Sequence, residues 1–180
     1  MYSYTMLVNK KNKLKKELDI DLVMVSKKYS LKDIYLERKC RNAFNLMASK
    51  AYGRGYYLIA NSGYRSFKEQ ELEIKESIEN EGEEYTDKYV AKVGVSEHHT
   101  GLAIDIKSGD TSPFIISREY LWLKKNAFKY GFILRYPEGK EDITGYNFEP
   151  WHYRYVGKKV AKFITKNNMA LEEYIEKMEV

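Results

Sequence analysis

Apolar and polar positions along the chain alternate between two periods. At Leu36, Cys40, Ala43, Phe44, Met47 and Ala51 apolar residues recur at helical spacing, which predicts a helix over 36–52 stopped by Gly53 and Gly55. Residues 56–60, Tyr-Tyr-Leu-Ile-Ala, form a short apolar run bounded by turn residues and read as a buried strand. After the turn at 61–66, Ser66 and Glu69 stand at capping-box spacing ahead of a helix marked by Phe67, Glu71, Ile74 and Ile78. The acidic stretch 79–84 reads as an exposed loop, and 85–92 as one or two further helical turns. In 102–107 the period drops to two: Leu102, Ile104 and Ile106 share one side of a strand, Ala103 and Asp105 the other. A helix over 118–130, N-capped by Ser117 and closed by Gly131, leads to a strand at 132–136 and a turn at 137–140. A strand at 152–156 and helices at 158–164 and 169–178 complete the chain. Residues 1–30 read as an irregular, partly extended segment whose one apolar cluster is 22–25. Helices and strands do not alternate as βαβ units, so the expectation is an α+β fold, a single domain over 1–180 with a mainly antiparallel central sheet flanked by helices.

Composition narrows the function. At 180 residues the chain is long enough for one domain with a substantial core. The net charge of +5 is modest, and the lysines at 10, 11, 13, 15 and 16 lack the interleaved aromatics of a nucleic-acid groove. They read as a solvated face, compatible with an anionic surface such as a cell wall. Cys40 is the single cysteine, which excludes an intrachain disulfide and a thiolate-rich metal site, and its place in a helical pattern reads as a buried apolar thiol. No stretch supplies the ~18 apolar residues of a membrane span, and the N-terminus has no signal-peptide core. The expected location is the cell envelope or exterior if a leader has been removed, and the cytoplasm otherwise. A monomer is expected.

The three histidines fall in two unusual stretches, Ser96-Glu97-His98-His99-Thr100-Gly101-Leu102-Ala103-Ile104-Asp105 and Glu149-Pro150-Trp151-His152. A catalytic zinc takes three nitrogen or oxygen ligands and keeps one position open. His98 in a loop, Asp105 on the strand that follows and His152 at the head of another strand are the candidates for a His₂Asp site. Glu149, three residues before His152, is placed to take a proton from an activated water and to deliver it to a leaving amine. Arg65, after the turn, is the candidate for an oxyanion or a substrate carboxylate. Each also has a plainer reading. His98 alone is more often a surface or packing residue, Asp105 could be paired with Arg65 or Arg154, Glu149 could be a loop carboxylate, and Arg65 a structural clamp. Trp151 reads as core, and His99 as a bystander or a support for the ligands.

Ser96-x-His98-x-x-Gly101-x-Ala103-x-Asp105 together with Glu149-Pro-Trp151-His152 resembles the signature of the D-alanyl-D-alanine carboxypeptidase family, the VanY-type zinc peptidases of the lysostaphin, D-Ala-D-Ala and sonic-hedgehog group of folds. The likeness extends through Ser62-Gly63-Tyr64-Arg65-Ser66 with Gln70, Tyr130 to Pro137, Ile143 to Tyr146 and Trp151 to Gly157, covering roughly residues 8 to 165. The resemblance implies Zn²⁺ on His98, Asp105 and His152, Glu149 as base and acid, and Arg65 on the tetrahedral intermediate and the peptide terminus. It further implies that Gln70, Ser96 and Tyr146 contact the terminal D-alanine, and that Gly101 and Ala103 are small for steric reasons. The implied activity is removal of the C-terminal D-alanine from a peptidoglycan stem peptide. L,D-carboxypeptidase action on tetrapeptide stems, D,D-dipeptidase action and a non-catalytic metal-bearing wall-binding module are the alternatives. Val93-Gly94-Val95 replaces a Pro-Gly frequent in relatives, and His99 replaces a frequent Gln; both bear on substrate fit rather than on the ligands.

Overall fold

A computed structural model describes residues 2–109 and 113–179. The chain opens with a two-stranded antiparallel ribbon, β1 (Leu22–Met24) against β2 (Tyr35–Glu37). Helix α1 (Arg38–Tyr52) follows directly, and the Glu37 side chain caps it by accepting from the Cys40 amide. Next come β3 (Leu58–Ser62), the helical hairpin α2 (Phe67–Glu81) and α3 (Glu83–Tyr89), and β4 (Ala103–Ser108). The second half runs through α4 (Arg118–Asn126), β5 (Phe132–Leu134), α5 (Glu141–Thr144), β6 (His152–Tyr155), α6 (Lys158–Lys166) and α7 (Leu171–Glu179). The four-stranded sheet has the order β3-β4-β6-β5 and is antiparallel throughout, as the α+β reading expects. No helix among the described residues is long and apolar enough to cross a membrane.

Period-two alternation divides the sheet into an apolar face and a polar one. Leu58 and Ala60 of β3, Ile104 and Ile106 of β4 and Tyr153 of β6 are buried against Cys40, Phe44, Met47 and Ala51 of α1 and Trp122 and Leu123 of α4. Cys40 is fully buried, as expected, and burial pushes its thiol well above the ordinary cysteine range, so it is an inert apolar side chain. A second, smaller cluster joins Ile133, Val156, Ala161, Ile164 and Leu171 beneath α6 and α7. The opposite face of β4 and β6 carries Ala103, Asp105, His152 and Arg154, and the register aligns them: Ala103 opposite Arg154, Asp105 opposite His152.

Several boundaries differ from the sequence reading, each for a local reason. Residues 22–24 form a ribbon strand inside the segment read as irregular, because Val25 and Ile34 close it with an amide-to-carbonyl bond. Leu36 belongs to β2 rather than to the helix, which the Glu37 cap fixes two residues later. Tyr56 donates its amide to Ala51 at the end of α1, which delays β3 to Leu58. The stretch 79–84 is not a loop: α2 runs on to Glu81, and Gly82 at φ +88° breaks it and starts α3. The helix over 118–130 divides into α4 and a 3₁₀ turn, Ala127–Tyr130.

Gly63 marks the tightest approach between the ribbon and the site. A Cβ built there would lie 2.6 Å from the Tyr35 carbonyl oxygen and 2.6 Å from Ile34 Cγ2. The Gly63→Ala variant should therefore lose stability by about 1–3 kcal/mol, the usual range for overpacking, seen as a lowered midpoint in thermal melts. An unchanged midpoint would show that the ribbon yields freely.

Candidate active site

Three backbone devices bring the two histidine stretches together. The first is the β4–β6 register, which sets Asp105 directly across from His152. The second is a 3₁₀ turn, Glu97–Thr100, held by Ser96 Oγ accepting from the His98 amide and by Thr100 Oγ1 donating to the Glu97 carbonyl. The third is Gly101, whose left-handed φ of +66° turns the chain from that 3₁₀ turn into β4; a Cβ there would lie 3.0 Å from the Glu37 amide.

The ligand candidates converge. His98 Nε2 lies 3.4 Å from Asp105 Oδ2, and His152 Nδ1 lies 3.0 Å from Asp105 Oδ1. One donor atom from each of the three residues falls within 4.8 Å of the others, the spacing a single metal ion needs. His98 donates Nδ1–H to the Gly63 carbonyl at 2.6 Å, which turns Nε2 toward Asp105. Asp105 pairs with neither Arg65 nor Arg154, the partners its plainer reading calls for: Arg65 binds Gln70 Oε1 and Ser62 Oγ, and Arg154 binds Glu97. Burial works to raise the Asp105 carboxyl, but the two histidines outweigh it and hold the group well below the usual carboxylate range. For His152 burial favours the neutral ring, yet Asp105 and Glu97 push its pKa up to about 10. The ring thus carries on Nδ1 the proton that a metal cation would displace.

Glu149 Oε2 stands 3.7 Å from His152 Nδ1, beside the three ligands. Burial, aided by the Asp105 and Glu97 carboxylates and opposed by His152, raises Glu149 to about 7. Two carboxyl groups in one pocket are thereby driven apart, one ionised at any ordinary pH and one able to exchange a proton near neutrality.

A cavity of about 370 Å³ contains all of these groups. Arg65, Gln70, Ser96 and Tyr146 line it as well, so every candidate read from the sequence faces one space. Gln70, almost fully buried, holds Arg65 through Oε1 and the Ala91 carbonyl through Nε2. The Tyr146 hydroxyl is buried without a hydrogen-bond partner, and burial raises its pKa to about 12, so it remains a protonated donor. Trp151 corrects the sequence reading: it is 42% exposed and lines the cavity rather than the core, because the turn before β6 faces it outward.

Two residues beside the ligands act as supports; the sequence offered that role as one of two readings of His99 and missed it for Glu97. Of the two readings of His99 the supporting one holds, on Arg65 rather than on a ligand: its Nδ1–H donates to the Arg65 carbonyl at 2.7 Å, and its Nε2 accepts from the Gly94 amide at 3.1 Å. Burial lowers its pKa, consistent with a neutral ring that donates on one side and accepts on the other. Glu97 is the second. It lies between Ser96 and His98 with no periodic signature, and its Oε1 accepts from Arg135 Nε at 2.8 Å and Arg154 Nη1 at 2.6 Å, all three side chains fully buried. Two arginines in short apolar strands were the available signal, since each requires a buried carboxylate.

Two imidazoles and one carboxylate could hold a metal ion, and with a further carboxylate and an arginine at the same cavity they form a candidate metal centre of the kind zinc peptidases use. The comparisons narrow the class. Residues 33–158 match the family model "VanY: D-alanyl-D-alanine carboxypeptidase". The putative carboxypeptidase YodJ of Bacillus subtilis strain 168 is 42% identical over 167 residues, 88% of this chain and 61% of that protein. A D-alanyl-D-alanine carboxypeptidase of Enterococcus faecium is 38% identical over 181 residues, 95% of this chain and 57% of that protein. The chain thus spans about three fifths of the length of these two curated relatives. Among solved structures, a vancomycin-resistance D,D-pentapeptidase VanY in complex with Zn(II) superposes with a TM-score of 0.84 at 32% identity, covering 96% of this chain and 98% of that one. VanYB in complex with D-alanine-D-alanine gives the same identity and TM-score, covering 96% and 97%. The LdcB LD-carboxypeptidase gives 0.73 at 38% identity, covering 94% and 84%. The chain belongs to the VanY family of D-alanyl-D-alanine carboxypeptidases.

His99→Phe keeps a ring beside Phe67, 4.6 Å away between centroids, but leaves the Arg65 carbonyl and the Gly94 amide without their partner. The expected loss is about 1–3 kcal/mol of stability per unsatisfied buried group, measured by denaturant unfolding. Full stability would show that water replaces the ring.

Proposed function

We propose that this chain is a zinc-dependent D,D-carboxypeptidase that removes the C-terminal D-alanine from peptidoglycan stem peptides. One observation carries the reading: Glu149 stands 3.7 Å from His152 in the cavity where His98, Asp105 and His152 converge. His98 Nε2, an Asp105 carboxylate oxygen and His152 Nδ1 would hold the metal; when bound, Zn²⁺ supplies Lewis acidity, lowering the pKa of water and polarising a carbonyl. A purely structural metal site requires no carboxylate of this kind beside it.

Glu149 accepts the proton of the water that attacks the scissile carbonyl carbon. As the carbon–nitrogen bond breaks, it returns that proton to the departing amine of D-alanine. A group raised to about 7 suits both halves, and a bound cation draws it lower. Turnover requires the ionised form first, so activity falls as pH drops below the Glu149 pKa. The Arg65 guanidinium, held by Gln70 and Ser62, binds the substrate's terminal carboxylate and the developing oxyanion. Ser96 and the Tyr146 hydroxyl offer hydrogen bonds to the terminal residue. The working unit we propose is a monomer. A second reading, L,D-carboxypeptidase action on tetrapeptide stems, draws support from the 38% identity to the LdcB enzyme.

Muropeptides ending in pentapeptide and in tetrapeptide, together with free D-Ala-D-Ala, separate these readings when products are weighed by mass spectrometry with and without a chelator. Loss of one alanine from the pentapeptide alone, abolished by chelator, is expected; loss from the tetrapeptide alone would install the second reading. Glu149→Gln should keep its metal and lose most of the ~10²–10⁴-fold contribution typical of a general base. Retained turnover would mean that another group moves the proton. Titration of the metal-free protein with Zn²⁺ at pH 8, in buffers of differing ionisation enthalpy, should release a proton, because the cation takes the place of the one on His152 Nδ1. Binding without proton release would contradict that assignment.

A further inference from the structure

Glu97 divides its two carboxylate oxygens between different tasks. Oε1 accepts from both Arg135 Nε and Arg154 Nη1, at 2.8 and 2.6 Å. Oε2 is buried and has no hydrogen-bond partner. His152 Nε2 is likewise buried without a partner, and it lies 3.7 Å from Glu97 Oε2. Two orphaned buried atoms, one a donor and one an acceptor, thus face each other across a gap under an ångström longer than a hydrogen bond. Were the role of Glu97 only to neutralise two arginines, its second oxygen would not be left empty toward a metal-ligand candidate.

The geometry points to Glu97 as the positioning residue that fixes the His152 ring with its proton on Nε2 and its lone pair on Nδ1, the tautomer a metal requires. This rests on the assignment of His152 as a ligand. A neutral imidazole has one N–H and one lone pair. Nδ1 is the nitrogen turned toward Asp105, at 3.0 Å, and toward Glu149, at 3.7 Å, so the lone pair must lie there for the ring to coordinate. The N–H must then sit on Nε2, and among the described residues Glu97 is the carboxylate within 4.0 Å of that atom. A carboxylate behind a ligand histidine fixes the ring's tautomer and raises its basicity.

The arginines make the arrangement one-sided. Arg154 is anchored by donating to the Tyr4 and Met6 carbonyls, and Arg135 by a two-pronged pair with Glu172 at 2.8 and 2.6 Å. Both guanidiniums can only donate, so they keep an oxygen of residue 97 turned toward themselves. In a Glu97→Gln variant the amide oxygen is therefore drawn to the arginines, and the NH₂ group faces His152 Nε2. Two donors then oppose each other, so the ring gives up its Nε2 proton and keeps the one on Nδ1, where it competes with the metal. Glu172→Gln is the matched control, since it weakens the same arginine cluster without touching the Glu97–His152 contact.

The test needs no turnover. Zinc affinity is measured by chelator competition, and the His152 tautomer by ¹⁵N chemical shifts of histidine-labelled protein. Glu97→Gln is expected to weaken zinc binding by roughly 10–100-fold and to leave the metal-free ring protonated on Nδ1 alone, while Glu172→Gln lowers the melting midpoint and leaves zinc affinity unchanged. Equal zinc affinity in wild type and Glu97→Gln overturns the inference, and so does an equal loss in both variants. Should Glu97→Gln not fold, zinc-loaded wild-type protein decides alone: Nε2 protonated upholds the inference, and Nε2 unprotonated overturns it. Wild-type protein that holds no zinc defeats the metal assignment itself, and this inference with it.

Discussion

The pairing of β4 with β6 is the constraint from which the site follows. Asp105 and His152 are cross-strand partners, so their side chains leave the sheet on the same face, with no loop conformation needed to bring them together. A one-residue slip of β4 would turn Asp105 to the core face in place of Ile104 and Ile106 and away from His152. The hydrophobic core and the candidate metal site therefore depend on the same register. Everything else is fitted to that pair: the 3₁₀ turn delivers His98, the turn before β6 delivers Glu149, and α2 delivers Gln70 behind Arg65.

Charge within this pocket is sorted by contact rather than by residue type. Asp105 lies between two imidazoles and stays ionised, whereas Glu149, with neighbouring carboxylates and little solvent, holds its proton more tightly. Glu97 is the most deeply buried of the three and is ionised because two arginines surround one of its oxygens. Three acids of similar intrinsic strength are thus sorted within one small volume into two that stay ionised, for different reasons, and one that titrates near neutrality.

Much of this was legible in the chain. The switch from period 3.6 to period 2 located α1 and β4, the Ser66–Glu69 spacing located the start of α2, and the reciprocal bonds of that capping box are present. The two histidine stretches disclosed the site because ligand chemistry restricts which residue types can stand there. What stayed hidden was held by long-range contacts. Three-residue strands such as 22–24 carry too few positions to show a period. Glu97 looks like an exposed acid until Arg135 and Arg154, 38 and 57 residues further on, close over it. Trp151 is large and apolar, and only the path of the turn before β6 decides that it lines a cavity.

Arg154 has one further consequence. Its guanidinium takes two of its acceptors from the backbone of residues 4 and 6, and the Tyr2 hydroxyl reaches the Thr100 carbonyl at 3.0 Å. The first residues of the chain are therefore wall material for the site, laid behind the carboxylate that faces His152. Residues 4 and 6 thus help keep the Arg154 charge buried behind a candidate metal ligand, although neither residue faces the cavity itself.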